Sequence, residues 1–476
     1  MLSEDLADIK NILHAAEQLS ERYLSSLNER PTAVAAPSVD WPNLPERGMG
    51  ALSTQELFER IFLPNIVASS GPRYWGFVTG GSTPASIMGD WLTSVFDQNT
   101  QNTTGAGDCS ALLEIQTVKL LLELFGLPDE FMGGCVTGAT MSNFSGMAVA
   151  RQWYGHQKGI DIAREGIQEK IPVYTATAHS STIKAMSMLG MGSSNLTLVP
   201  CLPGREAMDM EALKSLLPAD KNKPFIIVAS GGTVNSVDFD DLSVLEAIRA
   251  EYNCWIHVDA AFGGFAACSD QFRHLLKGWE HADSITIDFH KWLNVPYDNA
   301  MIFTRKEHAA LQMQTFQNSS APYLGNPWEQ FNYLNYGPEN SRRFRALPVW
   351  FTLMAYGRKG YQQLVENNIR LANLFAGKLV ATGYFQLAAP VRLNTVCFRI
   401  HPDHANHLQT TTLLKKLNEE GKLFMTPTVY NGEPCIRAAL VNYRTTDTDI
   451  EIALNAVLDA VKQIFPSNLI KEFKAL

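Results

Sequence analysis

No stretch of this chain is long and apolar enough to span a bilayer, and its start, Met1-Leu2-Ser3-Glu4-Asp5, lacks the basic, apolar and small-residue regions of a secretory signal. These absences predict a cytoplasmic protein with no membrane partner. Positive charge is also short: 39 Lys and Arg against 48 Asp and Glu leave a net charge of −9, so no basic face for nucleic acid is expected. The seven cysteines, at 109, 135, 201, 254, 268, 397 and 435, include no Cys-x-x-Cys pair, which argues for buried reduced thiols over disulfides or a zinc cage. His401, His404 and His407 share a polar turn without cysteine or a carboxylate pattern, so a solvated loop is expected there and no metal. Ser181-Thr182-Ile183-Lys184 matches Ser-x-x-Lys but has no Ser-Asp-Asn or Lys-Thr-Gly to accompany it, and reads as chance. Neither a P-loop nor a Gly-x-Gly-x-x-Gly dinucleotide signature occurs.

What is present is ordinary globular composition, 46% apolar and 18% charged, in 476 residues, more than one core usually supports; one large domain with one or two smaller ones is expected. Leu6, Ile9, Leu13, Ala16, Tyr23 and Leu27 form one stripe of a predicted helix over 3–28 with Ser3 as cap, and Ser53-Thr54-Gln55-Glu56 reads as a capping box opening a second. These elements precede the main domain and need a surface, which a partner subunit can supply. Beyond them, helices over 111–125 and 142–156 are followed by short β-branched runs at 173–176, 196–199, 225–228, 255–258 and 285–287, separated by helix-length segments. That alternation predicts an α/β fold with a mainly parallel sheet. Residues 305–342 read as a long functional loop. A long helix over 350–382, strands at 395–400 and 435–440, and helices over 411–420 and from 447 then predict a smaller α+β domain.

Strand 255–258 ends at Asp259, followed by Ala260, Ala261, Phe262, Gly263 and Gly264, which places a carboxylate at a strand's carboxyl end beside small residues that admit a ligand. By position alone Asp259 also reads as a cap or turn residue. Strand 285–287 ends in Asp288-Phe289-His290-Lys291 at the same edge, provided the two strands run parallel. Lys291 sits among Trp292, Leu293 and Val295, where burial favours the free amine that Schiff-base chemistry needs. Gly133-Gly134-Cys135-Val136-Thr137-Gly138-Ala139-Thr140 reads as a small-residue turn entering the helix at Ser142, whose N–H groups can hold a phosphate. Cradle, carboxylate and lysine, in that order, match the needs of pyridoxal phosphate: an anchor, a partner for the ring nitrogen and an amine.

These motifs resemble the group II pyridoxal-dependent amino-acid decarboxylases, the family of aromatic-amino-acid decarboxylase, over nearly the whole chain. His257-Val258-Asp259-Ala260-Ala261, Phe272-Arg273-His274-Leu275-Leu276-Lys277-Gly278, Ala282-Asp283-Ser284, His290-Lys291-Trp292-Leu293 and Arg342-Arg343-Phe344-Arg345-Ala346-Leu347 carry the likeness in order and spacing. The resemblance implies a fold type I transferase-like architecture: a large domain over 73–345 with a mainly parallel seven-stranded sheet and a mobile loop at 305–342. A small α+β domain over 346–476 and a helical segment over 1–72 laid across the partner of a homodimer complete it. It implies that Lys291 forms the internal aldimine, that Asp259 pairs with the pyridine nitrogen, that Ala139 and Thr140 hold the phosphate, and that His179 stacks on the ring. Thr79, Thr233, Ala261, Asp288 and His290 complete the cofactor shell, with Phe77, Thr79 and Arg437 facing the substrate and Arg444 a weaker rival for its carboxylate.

The implied reaction is decarboxylation of an L-amino acid, aromatic by default, with Cα reprotonated by a loop tyrosine. Counting back from Arg342 gives Tyr333, with Tyr323 and Tyr336 as rivals. The chain departs from the aromatic decarboxylases at Asp288, where they carry Asn, and at Gly76 and Val78, where they place bulkier residues. An aldehyde synthase on the same scaffold and a non-catalytic relative are the competing readings.

Overall fold

The computed structural model describes residues 2–34, 41–103, 108–317, 331–404 and 409–464. Seven strands form the main sheet: β1 Phe131–Val136, β2 Val173–Thr175, β3 Leu196–Leu198, β4 Phe225–Ser230, β5 Cys254–Asp259, β6 Ser284–Asp288 and β7 Ala300–Arg305, in the order β1-β7-β6-β5-β4-β2-β3. β3, β2, β4, β5 and β6 pair in parallel, while β7 runs antiparallel to both β6 and β1. β4 and β5 are buried along almost their whole length, which is why they read as continuous apolar runs instead of alternating ones. Register sets Ser230 opposite Asp259 and Asp259 opposite Thr286, so β4, β5 and β6 all end at one edge. The parallel pairing that Asp259 and Lys291 need in order to meet is therefore present.

β1 and β7 were not legible in the sequence. Gly133-Gly134 looked like a turn, yet both lie inside β1. A Cβ on Gly133 would stand 2.9 Å from the Met301 sulfur and 3.1 Å from a Val118 methyl, so the glycine answers crowding by its neighbours. The turn proper is Thr137-Gly138, and the helix after it begins at Ala139, three residues before the expected Ser142. The predicted loop at 305–342 contains the helix Ala309–Phe316 and a short turn of helix, Tyr333–Asn335.

The N-terminal stripe forms two helices, Leu2–Ala7 and Ile9–Ser25, parted at Asp8, and neither buries a residue within the chain. The next helix, Ala51–Ile61, starts before the predicted capping box. Gly50 is its N-cap, and the Thr54 hydroxyl bonds the Gly50 carbonyl at 2.7 Å instead of capping.

The helix Ala346–Ala381 joins two cores. Leu347, Val349, Tyr361, Val365 and Ile369 pack with the main sheet, whereas Leu371, Phe375 and Leu379 belong to a second cluster; a left-handed Gly357 interrupts the helix. The second cluster lies on an antiparallel sheet of β8 Phe385–Leu387, β9 Thr395–Ile400, β10 Thr426–Tyr430 and β11 Glu433–Ala439, in the order β10-β11-β9-β8. Trp75, early in the chain, is buried in this second core: its N–H donates to the Phe424 carbonyl and its carbonyl accepts from Ala439, each at 2.9 Å. Of the seven cysteines, Cys109 and Cys201 are exposed, against the expectation of uniformly buried thiols.

One buried ion pair ties the segment before this long helix to the sheet. The Arg342 guanidinium donates to Glu114 at 2.6 Å and to the carbonyls of Cys135 and Thr100 at 3.0 and 3.1 Å, while the Cys135 N–H donates to the same Glu114 oxygen at 2.8 Å. Glu114→Ala would strand a buried cation. The expected cost is about 3–5 kcal/mol, read as a fall in the urea midpoint, with Glu114→Leu/Arg342→Met recovering much of it. A single variant as stable as the parent would show that water reaches the pair.

Candidate active site

The edge where β4, β5 and β6 end is also where the helix Ala139–Gln157 begins. Ala139, His179, Thr233, Asp259, Ala261 and Lys291 line one crevice there. Asp259 closes β5; its carboxylate accepts from Asn143 Nδ2 at 2.8 Å and from the Ala261 N–H at 3.2 Å. Lys291 follows β6, its amine 5.6 Å over the Phe262 ring and 3.9 Å from Asp288. Among the described residues, no hydrogen bond is made by this amine.

His179 caps the helix Ser180–Met188, its Nδ1 accepting from the Ser181 N–H at 3.2 Å and standing 2.7 Å from the Ser181 hydroxyl. Burial lowers its pKa, with Asp259 opposing and Lys291 and Arg437 adding to the shift, so the imidazole is neutral at neutral pH. Ser181, dismissed from the sequence as a chance Ser-x-x-Lys match, is therefore a support for this ring.

Asp288 holds the first amide of the cradle. The Ala139 N–H donates to it at 3.1 Å. His290 Nδ1 lies 3.0 Å from its other oxygen, without hydrogen-bond alignment, so both atoms remain buried and unpartnered. Unsatisfied polar atoms beside a helix N-terminus fit a site that receives a further polar group. On the opposite wall, the Gly80 N–H donates to the His290 carbonyl at 3.1 Å, and a Cβ on Gly80 would fall 1.7 Å from the Lys291 carbonyl oxygen. That close approach admits only glycine. It brings Thr79 to Lys291's neighbours: the Thr79 hydroxyl is 3.0 Å from that of Tyr297, whose ring stacks on His290 at 4.2 Å.

Other predicted residues stand as follows. The Thr233 hydroxyl donates to the buried Glu206 at 2.6 Å, so it lines the crevice with its proton already committed. Thr140 occupies the first turn of the cradle helix. Phe77, 62% exposed, has a left-handed backbone and packs 5.5 Å from Phe424, a ring that fills the space a Cβ on Gly76 would take. Arg437 reaches from β11 to the carbonyl of Val234 at 3.4 Å, leaving its Nε buried without a partner. Arg444 stacks instead on Tyr443.

Tyr333 is not brought to this crevice. It is 3% exposed, its hydroxyl donates to the Gly133 carbonyl on β1 at 3.2 Å, and its ring lies 4.3 Å beneath the Arg342 guanidinium. It lines a separate cavity with Val118, Leu122, Phe131 and Tyr336. Within the chain, Tyr333 anchors its own segment. Tyr323, like His407, lies outside the described residues. Among the described residues, one grouping, Asp283, Glu307 and His308, has metal-ligand spacing, and Arg249 already stands 2.8 Å from Asp283 and 3.1 Å from Glu307 in the cation's place.

Sequence reasoning missed Asn143, Ser181, His257 and Tyr297. The signal for His257 was available: it lies two residues before Asp259 on one strand, hence on the same face. Asn143 lies one turn beyond Ala139, a proximity that counts only once the helix start is known.

An amine without a hydrogen bond among the described residues, a carboxylate and a helix N-terminus around one crevice are what an enzyme needs to hold a phosphorylated, aldehyde-bearing pyridine. The comparisons agree. The sequence pattern described as the pyridoxal-dependent decarboxylase conserved domain matches residues 42–401. A histidine decarboxylase of Drosophila melanogaster is 31% identical over 82% of this chain, which spans 47% of that longer protein. An aromatic-L-amino-acid decarboxylase of Bacillus atrophaeus is 25% identical over 96% of the chain and 97% of its own length. The solved structure of Oryza sativa TDC with PLP and tryptamine shares the fold, with a TM-score of 0.88 over 97% of this chain and 99% of that one, at 22% identity.

The chain belongs to the pyridoxal-dependent decarboxylase family. Its cofactor is pyridoxal phosphate, its class is carboxy-lyase, and its fold is that of the type I pyridoxal enzymes.

Proposed function

We propose that the protein decarboxylates an L-amino acid, aromatic by default, to its amine at the crevice between β5, β6 and the helix Ala139–Gln157. The observation that carries this reading is the convergence of Lys291, Asp259 and His179 there. When bound, pyridoxal phosphate supplies an aldehyde that condenses with amines and a cationic ring that accepts the electron pair left at Cα by departing carbon dioxide. Lys291 holds it through the side-chain amine. Asp259 keeps a proton on the ring nitrogen, as a fixed anion beside a cation must. His179, with its pKa lowered by burial, would face the ring without repelling its positive charge. The helix start at Ala139 and Thr140 would hold the phosphate through its dipole and the Thr140 N–H, the Ala139 N–H being spent on Asp288. Ala261, Thr233 and Thr79 line the site. Arg437 is the candidate for the substrate carboxylate and Phe77 for one wall of its side-chain pocket.

The apolar residues left exposed on the N-terminal helices, and Met88, Trp91, Val95 and Phe96 on the helix Pro84–Phe96, support a homodimer closed over this edge. No helix among the described residues is long and apolar enough to cross a membrane, and we place the enzyme in the cytoplasm.

Carbon dioxide release from a panel of L-amino acids, with the product identified as amine or as aldehyde plus ammonia, tests the reading. Release from none of them would overturn it. Tyr333→Phe separates anchoring from proton donation. With the hydroxyl spent on Gly133, the variant is expected to keep amine as its product and lose about 1 kcal/mol of stability. A switch to aldehyde would restore Tyr333 as the donor to Cα.

A further inference from the structure

A directed chain of hydrogen bonds runs behind the crevice. Trp255 Nε1–H, a donor only, reaches the Ser284 hydroxyl at 3.1 Å, and that hydroxyl lies 2.7 Å from His257 Nδ1. His257 Nε2 is 3.0 Å from Asn143 Oδ1. Asn143 Nδ2 spends its two protons on Asp259 at 2.8 Å and on the Ser181 hydroxyl at 2.9 Å, and Ser181 bonds His179 Nδ1. Each group can donate once to the next, from Trp255 outward, because both ends are fixed: the indole only donates and the Asp259 carboxylate only accepts. His257 is fully buried, and burial pushes its pKa down to about 4, so it is a neutral ring with one proton to place. Gly146, one turn beyond Asn143, has no Cβ; one would stand 2.7 Å from the imidazole.

We propose that Asn143, oriented by His257, is the positioning residue that aims Asp259 at the cofactor's ring nitrogen, while its second proton braces the Ser181 hydroxyl against His179. This rests on the reading of Asp259 as the partner of that nitrogen. The Asp259 carboxylate already calls for the amide nitrogen, and the His257 proton fixes that orientation from the other side by giving the Asn143 oxygen its donor. With it, one amide serves the groups on both faces of the site. Neither Asn143 nor His257 lines the crevice itself.

The test compares binding of pyridoxal phosphate with that of its carbocyclic analogue, which has C–H in place of the ring nitrogen, to the apoprotein by quenching of tryptophan fluorescence. The parent protein should prefer pyridoxal phosphate. Asn143→Ala should shrink that preference at least about tenfold, as loss of a hydrogen bond to a buried charge does. His257→Leu should do the same, whereas His257→Gln, whose amide can accept from Ser284 and donate to Asn143, should stay within about threefold of the parent. A purely structural role weakens both ligands equally, leaves the preference intact and overturns the proposal, as does a preference in His257→Leu equal to the parent's. If Asn143→Ala fails to fold, the His257 pair decides. A parent protein with no preference overturns the Asp259 reading itself, and Asp259→Ala, which should abolish the preference, tells the two failures apart.

Discussion

Lys291→Ala is expected to lower decarboxylation by at least about 1,000-fold, the scale on which enzymes lose rate when a covalent catalytic group is removed. The same variant should lose the visible absorbance that pyridoxal phosphate acquires on joining a protein amine. Both effects follow from position. Lys291 leaves β6 among buried Trp292, Leu293 and Phe289, its backbone is pinned against Gly80, and its amine has no hydrogen bond among the described residues. Stability should change little, since the amine makes no hydrogen bond among the described residues and its nearest charged neighbour is 3.9 Å away. Absorbance spectra of the purified variant and a carbon dioxide assay at saturating cofactor would check this. An unchanged visible band would move the attachment to another lysine and undo the site assignment.

Asp259→Asn should be nearly as damaging for a different reason. The amide is the same size, but the charge goes, and one of the two oxygens that accept from Asn143 and the Ala261 N–H becomes an NH2 facing a donor. A buried charge pair broken on one side costs about 3–5 kcal/mol, roughly two to four powers of ten in cofactor binding or in kcat/KM. The loss should appear in the apoprotein's affinity for pyridoxal phosphate as well as in turnover, because the proton on the ring nitrogen is held in the resting site too. Retention of parental affinity and rate would show that Asp259 is a turn residue, as its position alone also allows.

The legibility of these residues was uneven, for physical reasons. β4, β5 and β6 were readable because strands buried on both faces must be apolar and β-branched, and the carboxyl ends of parallel strands collect function; Asp259 and Lys291 came directly from that rule. β1 escaped because its composition answers to Met301, far along the chain, and to Val118 on the preceding helix. Tyr333 was reached by counting through a segment where no periodicity anchors the count. The structure spends its hydroxyl on Gly133 and its ring on Arg342.

Local chemistry in the sequence therefore determined the α/β class, the strand-end places of Lys291 and Asp259, and a helix start following Gly138, because each depends on residues adjacent in the chain. Which groups stand behind them was decided by tertiary structure alone. Asn143, Ser181, His257 and Ser284 come from four separate segments, and a hydrogen bond between segments leaves no pattern in any one of them. The same holds for Gly80 against Lys291 and for Phe424 beside Gly76, where a distant ring occupies the space that a side chain at position 76 would need.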